Sequence, residues 1–97
     1  MKKRNKSLIF TATYNEKNNV KKLIDGITNV SPGSSILIIE DNSPDGTGKI
    51  LKKLKKKNIN LEIIFREKKE GLDSAHKLAY KYAIKNKYTK IITMDAD

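Results

Sequence analysis

Ser35-Ile36-Leu37-Ile38-Ile39-Glu40-Asp41-Asn42-Ser43-Pro44-Asp45-Gly46-Thr47 is the stretch that decides how the rest of the chain is read. Ile36 to Ile39 leave no polar face, so Ser35–Glu40 reads as a strand covered on both sides, as in a parallel sheet. The acids and turn formers that follow place polar chemistry at its carboxyl end. Working outward, Leu8–Thr13, Leu61–Phe65 and Lys90–Met94 are three more short runs rich in apolar or β-branched residues. Helical spacing fills the gaps. Val20, Leu23, Ile24 and Ile27 recur at i, i+3, i+4 and i+7 behind Asn15, a candidate N-cap, and that helix stops before Pro32-Gly33. Ile50, Leu51 and Leu54 form one face between about Thr47 and Lys57. Ala75, Leu78, Ala79, Tyr82 and Ala83 do so between about Asp73 and Lys87, where Asp73 or Ser74 is the expected cap.

The order β-α-β-α-β-α-β predicts an α/β protein: a parallel sheet of about four strands with helices on both faces and right-handed crossovers. Ligands of such sheets bind at the carboxyl ends of the strands, where the strand order switches.

Composition bounds the function. The 97 residues carry 21 Lys plus Arg against 11 Asp plus Glu, a formal charge of +10, and no cysteine. Disulfide scaffolds, thiolate metal sites and cysteine nucleophiles are thereby excluded. No apolar run approaches the roughly 20 residues of a membrane helix, and the basic tail at residues 1–6 lacks the apolar core of a signal peptide. A cytoplasmic protein is the simplest expectation. The positive charge suggests a rival reading, a non-enzymatic basic α/β module binding nucleic acid or an anionic membrane surface. Against it, the only arginines are Arg4 and Arg66, and aromatics make up 6% of the chain, whereas base readout and stacking favour both. The Lys52–Lys57 run reads as a solvated helix face, and no nucleic-acid partner is expected.

The strand ends carry the chemistry. Strand one ends in Thr13-Tyr14-Asn15-Glu16, strand two in Glu40 to Thr47, strand three in Arg66, and strand four in Asp95-Ala96-Asp97. Two carboxylates at i and i+2 can share a hard divalent cation that neutralises a diphosphate; the bland alternative is a turn closed by the Asp side chains. Asp41 can accept two N–H bonds in one plane, which suits a nucleobase imide, and Glu40 can share that role or point away. The planar fork of Arg66 suits a phosphate or a stacked base, or else a surface pair with Glu67 or Glu70. Asp45 or Thr47 can cap the second helix. His76, the only histidine, reads as a capping or surface residue, and Gly71 as a positive-φ turn. Neither G-x-G-x-x-G nor G-x-x-x-x-G-K-[ST] is present, which excludes ordinary dinucleotide folds and P-loops.

Four ordered motifs, Thr11 to Glu16, Glu40 to Thr47, Arg66 with Gly71-Leu72 and Ser74-Ala75, and Met94 to Asp97, resemble those of the inverting family 2 glycosyltransferases. The Ser-Pro-Asp-Gly-Thr extension is most similar to the dolichol- or polyprenyl-phosphate mannosyltransferase branch. The resemblance implies the Rossmann-like N-terminal half of a GT-A fold, a nucleotide-sugar-binding part ending at the D-x-D motif. It implies that Thr13, Tyr14, Glu16, Glu40, Asp41, Arg66 and Asp95 line the nucleotide site, and that Asp95 and Asp97 hold Mg²⁺ or Mn²⁺. The reaction implied is transfer from a GDP- or UDP-sugar to a lipid phosphate or other acceptor. The acceptor half and general base would lie beyond Asp97, with peripheral attachment at the membrane and little activity for this part alone. The implied strand order is 3-2-1-4, whose fourth strand would be an exposed edge prone to self-association. Three departures stand out: Ala12 where the family usually has Pro, Glu40 where it usually has Asp, and Asp73 where it usually has Gly.

Overall fold

The computed structural model describes residues 7–68 and 70–94, and for Leu72 the backbone alone. The elements follow the expected order: β1 (Ser7–Thr13), α1 (Val20–Val30), β2 (Ser35–Glu40), α2 (Thr47–Lys57), β3 (Leu61–Phe65), α3 (Leu72–Lys85) and β4 (Lys90–Thr93). All strands are parallel, in the order β3-β2-β1-β4. This is the implied 3-2-1-4 order, and β1 lies between its neighbours β2 and β4.

Two apolar layers sandwich the sheet. On one face, α1 and α2 bury Val20, Ile24, Ile27, Leu51 and Leu54 against Ile9, Ile36, Ile38 and Leu61. On the other, α3 lays Ala75, Ala79 and Ala83 over Leu8, Phe10, Leu37 and Ile39. Successive strand side chains point to opposite faces, so a strand covered on both must be apolar at every position, which is why Ile36 to Ile39 are. The alanine stripe lets α3 approach the sheet closely, while its lysines face water. The Lys52–Lys57 face of α2 is exposed apart from Leu54, as expected of a solvated surface.

Helix starts differ from the sequence reading. Asn15 does not cap α1: it has φ +58°, and the helix begins at Val20 after a turn in which the N–H and side-chain amide of Asn19 bond the carbonyl and carboxylate of Glu16. Neither Asp73 nor Ser74 is the N-cap of α3. Gly71 holds that position with φ +94°, a conformation that glycine adopts without strain, and Ser74 is drawn instead to Arg66.

Candidate functional site

The parallel register sets out the site. Pairing of β1 with β2 ends at Thr13 opposite Glu40, and pairing of β2 with β3 ends at Glu40 opposite Phe65. The next residues along, Asp41 and Arg66, therefore emerge side by side.

Thr13 and Glu40 form the floor. Both are buried, and the Thr13 hydroxyl donates to Glu40 Oε1 at 2.5 Å. Glu40 Oε2 accepts the N–H of Ser43 in a short bond. Both carboxylate oxygens of Glu40 are thus engaged within the protein.

Asp41 and Arg66 form a two-pronged ion pair, Nε to Oδ1 at 2.6 Å and Nη2 to Oδ2 at 2.9 Å, with side chains only 7% and 8% exposed. Asp41 also accepts the N–H of Glu70 at 3.3 Å, and Arg66 Nη1 donates to Ser74 Oγ at 2.8 Å. The guanidinium is held further above its ordinary pKa, chiefly by its hydrogen bonds to Asp41, so it remains a cation throughout the accessible pH range. Glu70 is a more distant partner at 3.8 Å, and the Glu67 carbonyl accepts from the Asn42 amide. Arg66, Glu70, Asp73, Ser74 and Lys77 help line a cleft of about 580 Å³ beside this pair. The Asp73 carboxylate therefore shares the cleft with three cations, Arg66, Lys77 and Lys81.

At the end of β4, the Met94 N–H donates to the Phe10 carbonyl at 2.9 Å and the Met94 carbonyl accepts from the Thr11 hydroxyl at 2.6 Å. These bonds tie the chain to β1 immediately before Asp95. Asp95 and Asp97, the expected metal ligands, lie outside the described residues. Among the described residues no group of three His, Cys, Asp or Glu is placed to hold a metal ion.

The loop after β1 is gripped by the loop after β2. Asn15 N–H donates to Ser43 Oγ at 2.8 Å, Glu16 N–H to Thr47 Oγ1 at 3.0 Å, and Lys17 N–H to Asp45 Oδ2 at 3.2 Å. Asp45 Oδ1 in turn accepts from the N–H and hydroxyl of Thr47. Lost hydration raises the pKa of Asp45, but the bonds from Thr47 and Lys17 and the charge of Lys17 outweigh it and hold the carboxyl below its ordinary 3.8. Tyr14 stands at the head of this loop, 37% exposed.

The structure thus gathers Thr13, Tyr14, Glu16, Glu40, Asp41 and Arg66 at one end of the sheet. Ser74 as a partner of Arg66, and Ser43, Asp45 and Thr47 as ligands of the first loop, were not foreseen. The available signal was the density of oxygen-bearing side chains in residues 43–47, which reads equally well as a turn. His76 lies on α3 with its ring edge-to-face with Phe10 at 5.4 Å, a packing role that agrees with the non-catalytic reading.

Helices on both faces and polar groups gathered at the carboxyl ends define an α/β protein of the kind that binds ligands at its strand ends. The chain belongs to glycosyl transferase family 2, whose model matches residues 8–97. It is 29% identical over 93 residues to polyprenol monophosphomannose synthase of Mycolicibacterium smegmatis, covering 95% of this chain and 35% of that protein. It is 33% identical over 91 residues to dolichol-phosphate mannosyltransferase of Pyrococcus furiosus, covering 92% of this chain and 25% of that one. The chain thus spans about a third or less of these relatives. Among solved structures, a mannosyltransferase of Pyrobaculum calidifontis in complex with GDP-Man and Mn²⁺ superimposes with a TM-score of 0.74 at 19% identity, over 84% of this chain and 25% of that one. That likeness establishes the fold of this part, in agreement with the GT-A type that the resemblance implies. No helix among the described residues is long and apolar enough to cross a membrane.

Proposed function

We propose that this chain forms the donor side of a glycosyltransferase, binding a nucleotide-diphosphate sugar for transfer to a polyprenyl phosphate. The observation that carries the reading is the buried Asp41–Arg66 pair at the carboxyl ends of β2 and β3, next to the Thr13–Tyr14 end of β1. Burying two charges costs several kcal/mol each before their attraction offsets it, and such pairs are weak devices for stability alone. A ligand site is a better reason to keep one there. In this reading the pair presents the edge that recognises the base, GDP or UDP, and Tyr14 and Glu16 line the ribose side.

Asp95 and Asp97 would hold Mg²⁺ or Mn²⁺, a choice that suits two carboxylates spaced i and i+2 after a strand. The cation would supply charge neutralisation of the departing diphosphate. Within these 97 residues we assign donor binding and no acceptor chemistry. The names of the relatives, which include an undecaprenyl-phosphate mannosyltransferase of Micrococcus luteus, support a mannosyl donor, a lipid-phosphate acceptor and work at a membrane surface.

Calorimetry with GDP and with UDP, each with and without Mn²⁺ or Mg²⁺, tests this. Binding is expected for at least one nucleotide, dependent on the cation and weakened at least about tenfold by Asp97→Ala, the loss of one charged contact. No heat with either nucleotide, or indifference to Asp97→Ala, would refute it.

A further inference from the structure

Successive backbone N–H groups in a turn that includes a left-handed residue, as Asn15 is at φ +58°, can form an anion cradle, a device that phosphate sites use. In this chain that cradle is already filled. The N–H groups of Asn15, Glu16 and Lys17 each donate to a different side-chain oxygen of residues 43–47: Ser43 Oγ, Thr47 Oγ1 and Asp45 Oδ2. The three acceptors are themselves fixed. The Ser43 N–H is bound by Glu40, whose other oxygen takes the Thr13 hydroxyl, and the Thr47 hydroxyl and N–H both donate to Asp45. Gly46, at φ +97°, makes the turn that brings Asp45 and Thr47 to the same side.

We infer that Ser43-Pro44-Asp45-Gly46-Thr47 is an intramolecular clasp, with Asp45 as its anion, that closes the β1–α1 cradle to phosphate and fixes the position of Tyr14 and Glu16. Ser43, Asp45 and Thr47 are positioning residues in this assignment and touch no ligand. The inference rests on the donor-binding reading for its functional consequence: the donor diphosphate is directed away from the β1–α1 loop and toward the end of β4. The clasp itself rests on geometry alone. The hydroxyl of Thr47 is its hinge pin, since it donates to Asp45 and accepts from Glu16 at once and is wholly buried.

The pair Thr47→Val and Thr47→Ser separates positioning from bulk, because valine keeps the shape and serine keeps the hydroxyl. By amide exchange followed residue by residue, the Glu16 N–H is expected to exchange about tenfold faster in Thr47→Val, to return to the wild-type rate in Thr47→Ser, and the Ile38 N–H to stay unchanged in both. Pyrophosphate without metal should leave the Asn15, Glu16 and Lys17 amide resonances of the wild type unmoved, and should shift them in Asp45→Gly. With GDP or UDP plus Mn²⁺, affinity should fall about tenfold in Thr47→Val and recover in Thr47→Ser. Unchanged Glu16 exchange in Thr47→Val, or pyrophosphate shifting these amides in the wild type, overturns the clasp. Should Thr47→Val fail to fold, the wild-type pyrophosphate titration and Thr47→Ser decide it. If the wild type binds neither nucleotide, the donor reading fails while the exchange and pyrophosphate experiments still decide the clasp.

Discussion

Replacing Arg66 by methionine removes the cation from a carboxylate that stays where it was. Asp41 has a side chain 7% exposed and accepts three bonds, two from the guanidinium and one from the Glu70 N–H at 3.3 Å. Methionine fills similar volume and donates nothing, so a buried carboxylate is left with the one long bond. Breaking a buried pair in this way costs about 3–5 kcal/mol, against about 1 kcal/mol or less for an exposed pair such as Lys21–Asp25. For a domain of this size 1 kcal/mol moves Tm by about 4–8 °C, so Arg66→Met should lower it by roughly 20 °C. Arg66→Lys should fall between, because a point charge replaces one prong of the fork and loses the rest. Urea unfolding followed by circular dichroism of the wild type, Arg66→Met, Asp41→Asn and the double variant gives the coupling directly. The double variant should lose at least about 2 kcal/mol less than the sum of the singles, since it leaves no unpaired charge. A cost for Arg66→Met below about 1 kcal/mol, or simple additivity, would show that the pair behaves as a surface contact and would remove the main support for a built ligand site.

Two further outcomes follow from the packing and the charges. Ala79→Leu, at a position wholly buried between α3 and the sheet, should destabilise by about 1–3 kcal/mol in the same urea assay, because the close approach of α3 leaves no room for three more carbons. Asp45 has a folded pKa lowered from 3.8, so its contribution to stability is present above that value and lost as the pH falls through the lower, folded one. Acid unfolding of Asp45→Asn should accordingly begin at the same pH or higher and show a shallower loss below about pH 4 than the wild type.

The sheet was legible because its strands are buried on both faces, which forces apolar residues at every position of Ile36 to Ile39, and because the turn formers on either side hold the run to strand length. Strand order came from the family resemblance, and the register then decided what local reasoning could not. Arg66 stood out as an isolated arginine among lysines, yet its neighbours in sequence, Glu67 and Glu70, were the partners considered. Its short bonds go instead to Asp41, 25 positions away, because Glu40 is aligned with Phe65, and Glu70 stands off at 3.8 Å. The clasp was hidden for the same reason. Ser43, Asp45 and Thr47 serve amides 28 and 31 positions earlier, and a turn-rich pentapeptide carries no mark of which distant donors it meets. Asn15 likewise reads as a helix cap until those amides are seen to be taken.

The placement of β1 between β2 and β4 has a consequence for how the protein is made. Its first strand meets β2 early, but its other edge waits for a strand whose bond to it, Thr11 to Met94, spans 83 positions. At about 5–20 residues per second that interval lasts roughly 4–17 s, far longer than a hairpin or helix needs to form. During synthesis β3, β2 and β1 can assemble with α1 and α2, while the open side of β1 and the surface awaiting α3 remain unfilled. Those seconds leave a strand edge and an apolar surface open, and the high lysine content would then keep neighbouring nascent chains apart by repulsion.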